Sequence, residues 1–319
     1  MTARTTGQET GRTTVRTPDP TTDLARPVPL GRRSTALLLL TAAVGVVAFG
    51  WPLLASPGSG LAHSGDAPWL FAGLLPLLLA VVVAQISEGR VATGGQAGLE
   101  AKSVALLGVL AAAGAALRPL GAGTAGLEPQ FFLMVLAGRV LGPGFGFVLG
   151  NVSMFASALL TGGVGPWLPF QMLAMGWFCM GAGLLPGPAR LRGRRELWLL
   201  AVYGALSAEL YGLVMDLQGW PYIAGLGTGV SFVPGAPLRT NLVRFLAYHL
   251  STAMAWDISR STLTAVLCLS LGRPLLHALR RASRRAAFDA PAAFVPPPRA
   301  TPPGATPPGP MPERTPPDP

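Results

Sequence analysis

Eight apolar segments, at 34–54, 69–86, 102–120, 129–141, 143–161, 166–186, 196–217 and 242–271, follow one another along the chain with polar breaks between them. A bilayer's hydrocarbon core is about 30 Å thick and takes about 20 apolar residues per helix, so these segments read as transmembrane helices. The fourth is too short to cross unaided. It ends at Gly142-Pro143-Gly144 and is either a tilted span in a thinned bilayer or half of a re-entrant hairpin with the fifth; the span is preferred because the charges then distribute sensibly. Only 12% of residues are charged and half are hydrophobic, against about 25% charged in soluble domains, which excludes a water-soluble globule. The 41 glycines and 32 prolines fit the same reading, both being more frequent in transmembrane helices than in soluble ones.

The expected fold class is thus an all-α polytopic membrane protein with about eight transmembrane helices. Residues 1–33 lack apolar clustering and residues 286–319 are Pro-rich, with 13 prolines in the last 29 positions, so both tails are expected to be disordered. An even number of crossings puts both tails on one side, and the Lys/Arg bias says which. With both termini cytoplasmic, 20 of the 24 basic residues lie inside, Arg118, Arg239 and Arg244 lie outside, and Arg260 sits in the membrane. The clusters Arg190/Arg192/Arg194/Arg195 and Arg280/Arg281/Arg284/Arg285 read as topology anchors, each residue near an anionic leaflet contributing about 1 kcal/mol; the other reading is a nucleotide or partner site. The net charge of +10 is explained by the bilayer, and no nucleic-acid partner is expected. The first segment follows a 33-residue polar lead and is longer than a signal-peptide core, so a retained helix is expected in the cell membrane.

Several chemistries are missing. A Walker A loop needs Gly-Lys-Ser/Thr, and Lys102, the single lysine, follows Ala101. HExxH, GxSxG and Cys/His clusters do not occur, and His63, His249 and His277 are far apart in sequence. No catalytic constellation, metal site or cofactor is expected, and the chain is read as a non-enzyme. Cys179 and Cys268 lie in apolar runs and read as small buried hydrophobes.

The third segment carries Ala101, Ala105, Gly108, Ala112 and Ala115 at steps of three and four. Such a stripe lets a helix approach closely, whether that helix is internal or belongs to a partner. Gly142, Gly146 and Gly150 form a second stripe, read as intramolecular. Asp257 and Arg260, three apart near the middle of the last segment, are expected to form a structural ion pair. Glu209 has no local partner and faces either the bundle or a partner protein. Asn241, Arg244 and Tyr248 share one helix face, and Trp167 and Gln171, four apart, are placed to face the same opening. The long Gly/Pro-rich loop 218–241 reads as a lid, with Trp220, Tyr222 and Phe232 as contact residues or as membrane-interface anchors; loop 119–128, with Glu128, is a second flap.

The stretch FFLMVLAGRVLGPGFGFVLGNVSMFASALLTGGVGPWLPFQMLAMGWFCMGAGLLP at 131–186 resembles the substrate-binding S components of energy-coupling factor vitamin transporters. LLAVYGALSAELYGLVMD (199–216), WDISR (256–260) and LGRPLLHALRRASRR (271–285) extend the likeness in the same order. GGVGPWLPFQMLAMGW (162–177) is its most specific part, and coverage runs over about 100–285. The resemblance implies a six-helix bundle at 100–285 that captures a vitamin from outside, together with a transmembrane scaffold subunit and two ABC-type ATPases. The missing P-loop then has a reason. The family carries a small-residue AxxxA motif against the scaffold, which here falls on Ala101, Ala105, Gly108, Ala112 and Ala116. It binds its ligand near the outer face, under the loops matching 119–128 and 218–241. With the polar face described above, the expected substrate-binding set is Arg118, Glu128, Trp167, Gln171, Trp220, Tyr222, Arg239, Asn241, Arg244 and Tyr248. The cargo is either a cobalamin-like corrinoid or riboflavin-like. Two N-terminal helices at 34–99 depart from the family plan and either brace the bundle or face lipid. The alternative is a polytopic enzyme acting on lipid or lipid-linked substrates, which needs a polar cluster at one depth built around Glu209, Asp257 or His249. A secondary transporter would show inverted repeats, and none is evident between the halves.

Overall fold

A computed structural model of the chain describes residues 32–54, 73–82, 84, 101–121, 125–186, 191–223 and 229–285. The tails expected to be disordered lie outside the described residues, except Arg32 and Arg33, which open the first helix. Every regular element among the described residues is helical. In chain order these are α1 (Arg32–Leu54), α2 (Gly73–Val82), α3 (Ala101–Leu117), α4 (Gln130–Leu141), α5 (Pro143–Thr161), α6 (Leu168–Leu184), α7 (Arg194–Gly219), α8 (Leu238–Tyr248), α9 (Met254–Ser270) and α10 (Gly272–Arg285).

Local chemistry sets several boundaries. Pro143 occupies the first turn of α5, where its missing N–H is not needed. Gly162 ends that helix at φ 64°, the left-handed conformation that glycine adopts without a Cβ penalty. The last expected segment, 242–271, is more elaborate than one helix. A π-helical turn, His249–Ala253, joins α8 to α9. A 72° bend then separates Leu238–Ser270 from α10. Pro274 explains the bend, because a proline ring clashes with the carbonyl four residues back, here that of Ser270.

Helix α4 lies at the centre, with all twelve of its residues buried and α3, α5, α6, α7, α9 and α10 packed around it. It runs antiparallel to α5, since the chain reverses at Gly142 and Gln130 Nε2 donates to Ser153 Oγ at 3.1 Å. The shortness of 129–141 follows from this position. A helix enclosed by others need not match the thickness of a bilayer, and α4 is only about 18 Å long at 1.5 Å per residue. Beyond Ser153, α5 continues for about 12 Å by the same rise, so α4 starts well below the end of its neighbour. Small residues let α6 approach this hairpin: a Cβ on Gly146 would lie 2.9 Å from the Cys179 carbonyl oxygen, and one on Gly150 2.5 Å from that of Met175. The expected intramolecular role thus holds for Gly146 and Gly150, and Gly142, which caps α4 at φ 90°, abuts Gly183 of α6. Cys179 and Cys268 are free and fully buried.

Four described helical spans, Thr35–Leu54, Ser103–Gly121, Pro143–Thr161 and Arg194–Tyr222, are long and apolar enough to cross a membrane, and the bent α8–α10 pair counts as a fifth if it is taken as one broken span. The segments represented by α2, α4 and α6 are shorter. Polarity is distributed inside-out. Trp198, Val202, Leu206 and Leu210, at steps of four on α7, are exposed, as are Leu39, Leu40, Val46 and Val47 on α1. Arg139, Glu196, Gln130, Asn151, Asp257, Arg260 and Thr264 are buried. Large contiguous apolar surface of this kind suits hydrocarbon rather than water.

Of the two expected N-terminal helices, α1 braces the bundle. It packs on α6, α7 and α8, with Gly45 against Leu173 and Trp177 and Phe49 edge-on to Phe170 at 5.1 Å. Leu74, Leu78 and Val81 of α2 also enter the main core. Helix α3 divides cleanly. Ser103, Leu107, Leu110, Ala111, Gly114 and Ala115 are buried, whereas Ala105, Gly108, Ala112 and Ala116 are exposed. A Cβ on Gly108 would meet nothing within 4 Å, while one on Gly114 would strike Ser153 and Met134. Ala115, read with the stripe, belongs to the buried face, and the side chain of Ala101 lies outside the described residues.

Candidate functional site

Arg260 organises one end of the bundle. It lies three residues after Asp257 on α9, one turn of helix, and its Nη1 donates to Asp257 Oδ1 at 2.6 Å. Its Nε stands 3.5 Å from Glu128 Oε2. The guanidinium also lies over the rings of Phe131, at 5.2 Å, and Tyr211, at 5.5 Å. The expected pair is therefore a triad with an aromatic floor. Glu128 reaches it because the loop before α4 docks on α9: Gly126, at φ 87°, abuts the Trp256 carbonyl where no Cβ fits. Asp257 is seated in the same way, its carboxylate filling the place a side chain at Gly212 of α7 would take. Removing one member of such a buried pair costs about 3–5 kcal/mol, because the other is left uncompensated.

A second group adjoins the first. His249, the first residue of the π turn, is 5% exposed. Its Nδ1 is 2.8 Å from Asp216 Oδ2 on α7 and 4.0 Å from Asp257 Oδ2. The Phe245 ring lies nearly parallel to the imidazole, 25° off at 6.1 Å, and fixes its plane. Asp257 Oδ2 is buried without a hydrogen-bond partner. The side chains of Glu128 and Asp216 are 25% and 21% exposed, so the cluster reaches the surface at its two flanks. Three carboxylates here face one guanidinium and one imidazole, an arrangement able to bind a cation or to accept hydrogen bonds from a polar ligand.

The other expected binding residues divide into three groups. Arg118 and Gln171 come together, Nη2 donating to Oε1 at 3.0 Å, and tie the end of α3 to α6. Trp220, Asn241 and Tyr248 are buried and hold the cap over this end of the bundle. Trp220 is 0% exposed, donates from Nε1 to the Val230 carbonyl at 2.7 Å, and packs with Phe232, Phe245 and Tyr248. Asn241 clamps Val233 through both backbone groups, accepting at 3.2 Å and donating at 2.9 Å. Arg244 donates to the Ser231 carbonyl at 3.2 Å. The polar atoms of Trp220 and Asn241, both in the expected binding set, are engaged by the loop's own backbone. Trp167 and Arg239 are exposed, Trp167 Nε1 donating to Gly163 O at 3.2 Å. Tyr222 is half-buried and, with Phe232, packs on Trp51 of α1. Residues 122–124 and 224–228 of the two expected flaps lie outside the described residues. Glu209 is half-buried between exposed Leu206 and Leu210 and is not in the cluster.

The opposite end has its own ionic lock. Glu196 Oε1 accepts from Arg139 Nε at 2.9 Å and Arg280 Nη2 at 2.6 Å, while Arg139 Nη1 donates to the Leu185 carbonyl at 3.1 Å. This joins α4, α7 and α10 beside a cavity of about 550 Å3 lined by Gly193, Glu196, Arg273, Pro274, His277 and Arg280, among others.

Sequence reasoning missed Asp216, and it named His249 and Asp257 only in the enzyme alternative, beside Glu209, which lies elsewhere. The available signal was helical spacing: Gly212 and Asp216 lie four apart on α7 and share a face. No family profile, curated protein or solved structure matches the chain.

Proposed function

We propose that this chain is the substrate-capturing membrane subunit of an energy-coupling factor type importer, binding a water-soluble vitamin on the outer side and working with a scaffold subunit and two ABC-type ATPases. The observation that carries the reading is the division of α3. One face packs on α5, and the other presents Ala105, Gly108, Ala112 and Ala116 uncovered, the surface a partner helix needs for close van der Waals approach in lipid. The end bearing Glu128, Arg260 and the Trp220 cap is then external. The end bearing Arg139, Glu196 and α10 is cytoplasmic, in keeping with its arginines. Eight crossings with both termini inside complete this reading, α4 crossing as an enclosed helix. The end of the bundle that carries Glu128, Arg260, Arg118 and Gln171 is the side on which a corrinoid-like or riboflavin-like cargo is taken up in this reading.

Purification of the full chain in detergent, followed by mass spectrometry of the released small molecules, tests the ligand. A retained vitamin is expected, lost on Arg118→Ala with folding intact. If none is retained and none of the common vitamins binds below micromolar, the reading fails.

A second reading, a membrane enzyme acting on lipid-linked substrates, draws on the convergence of Asp216, His249 and Asp257 at one depth. It requires turnover that His249→Gln abolishes in a chain that carries no vitamin.

A further inference from the structure

We propose that Asp216, His249 and Asp257 form a binding site for a first-row divalent metal ion. The inference does not rest on the transport reading. One ligand atom from each residue, a ring nitrogen of His249 and a carboxylate oxygen of each aspartate, lies within 4.8 Å of the other two. Ligands about 2.1 Å from a shared tetrahedral ion sit about 3.4 Å apart. The separations of 2.8 Å and 4.0 Å from His249 Nδ1 to the two aspartates bracket that value, so the three groups already stand close to the spacing that one shared ion requires.

An independent observation points to an occupant. Asp257 is 2% exposed, and while its Oδ1 is engaged by Arg260, its Oδ2 is aimed at His249 with no hydrogen-bond partner. A buried carboxylate oxygen left in this state is costly unless something binds it. Charge favours a cation, since Glu128, Asp216 and Asp257 are opposed in the cluster by Arg260 alone when the imidazole is neutral. The backbone is also special here. His249 opens a π turn, a feature found frequently at functional sites, and Phe245 holds its ring.

One imidazole nitrogen and two carboxylate oxygens suit Zn2+, Co2+, Ni2+ or Mn2+ better than a soft monovalent metal. Asp216, 21% exposed in its side chain, leaves water access for the remaining coordination positions. Coordination through Nδ1 requires the neutral imidazole to carry its proton on Nε2, so that Nδ1 and the Asp216 carboxylate both face the ion unprotonated.

The test uses the full chain in detergent micelles, stripped with chelator and dialysed against Zn2+ alone, with Co2+ as a spectroscopic probe. One Zn2+ per chain is expected, with a metal-dependent rise in melting temperature and a Co2+ absorption band showing nitrogen and oxygen ligands. His249→Gln and Asp216→Asn should each weaken binding by at least about tenfold, the lower end of what even an outer-shell partner contributes. His277→Gln should change nothing. Melting of each variant without metal reports its folding, and if Asp216→Asn does not fold, His249→Gln alone decides. The proposal is overturned if the wild-type chain holds no Zn2+ above the micelle background, or if a folded His249→Gln binds as the wild type does. Either result leaves vitamin retention, read separately, untouched.

Discussion

Glu196 serves two arginines of unequal burial, and that inequality makes a prediction. The Arg139 and Glu196 side chains are each 2% exposed, whereas Arg280 is 30% exposed. Glu196→Gln should therefore cost about 3–5 kcal/mol, because Arg139 is left uncompensated in the interior, and Arg280→Gln only about 0–1 kcal/mol. Denaturant unfolding of the two variants in detergent measures the difference, and equal costs would contradict the geometry. Single residues also show how far the sequence could be read. The Asp257–Arg260 pair was legible because partners three apart on a helix are neighbours whatever else the chain does. The pairing of Asp216 with His249 was not, because 33 residues of chain separate them and only the packing of α7 on the π turn joins them. Asn241 was legible as polar and helical, yet its amide serves the Val233 backbone, and periodicity cannot distinguish a ligand from a neighbouring loop.

Helix α3 carries a sharper contrast. Gly114 faces Ser153 and Met134, and Gly108 faces open space. Gly114→Leu should overpack the α3–α5 contact and destabilise the chain by about 1–3 kcal/mol. Gly108→Leu should stay within about 0.5 kcal/mol of wild type, as surface substitutions do. Thermal unfolding of the purified variants checks both, and a large loss from Gly108→Leu would show that the face is covered within the chain. Element boundaries were most legible where chemistry punctuates them, as at Pro143 and Gly162 for α5, whose expected and observed limits coincide. The π turn in the last segment was hidden because an inserted backbone register has no residue signature. The bend before α10 had one in Pro274.

At the scale of the whole molecule, the apolar succession was read correctly as helices, while the enclosure of α4 needed tertiary structure to see. Its thirteen-residue segment looked short only against a bilayer it does not face. The two ends of the bundle differ in kind: one is an acidic cluster under an aromatic cap, the other an arginine-rich lock beside a cavity. That polarity, with the open face of α3 between them, is what supports a subunit that takes cargo at one end and borrows its energy from partners.

The central claim is partnership, and affinity purification of the tagged full chain from native membranes tests it most directly. The account predicts that a transmembrane scaffold subunit and two ABC-type ATPases co-purify with the wild-type chain and are lost with Gly108→Leu at unchanged thermal stability. A wild-type chain that purifies without them, or a Gly108→Leu chain that retains them fully, would contradict it.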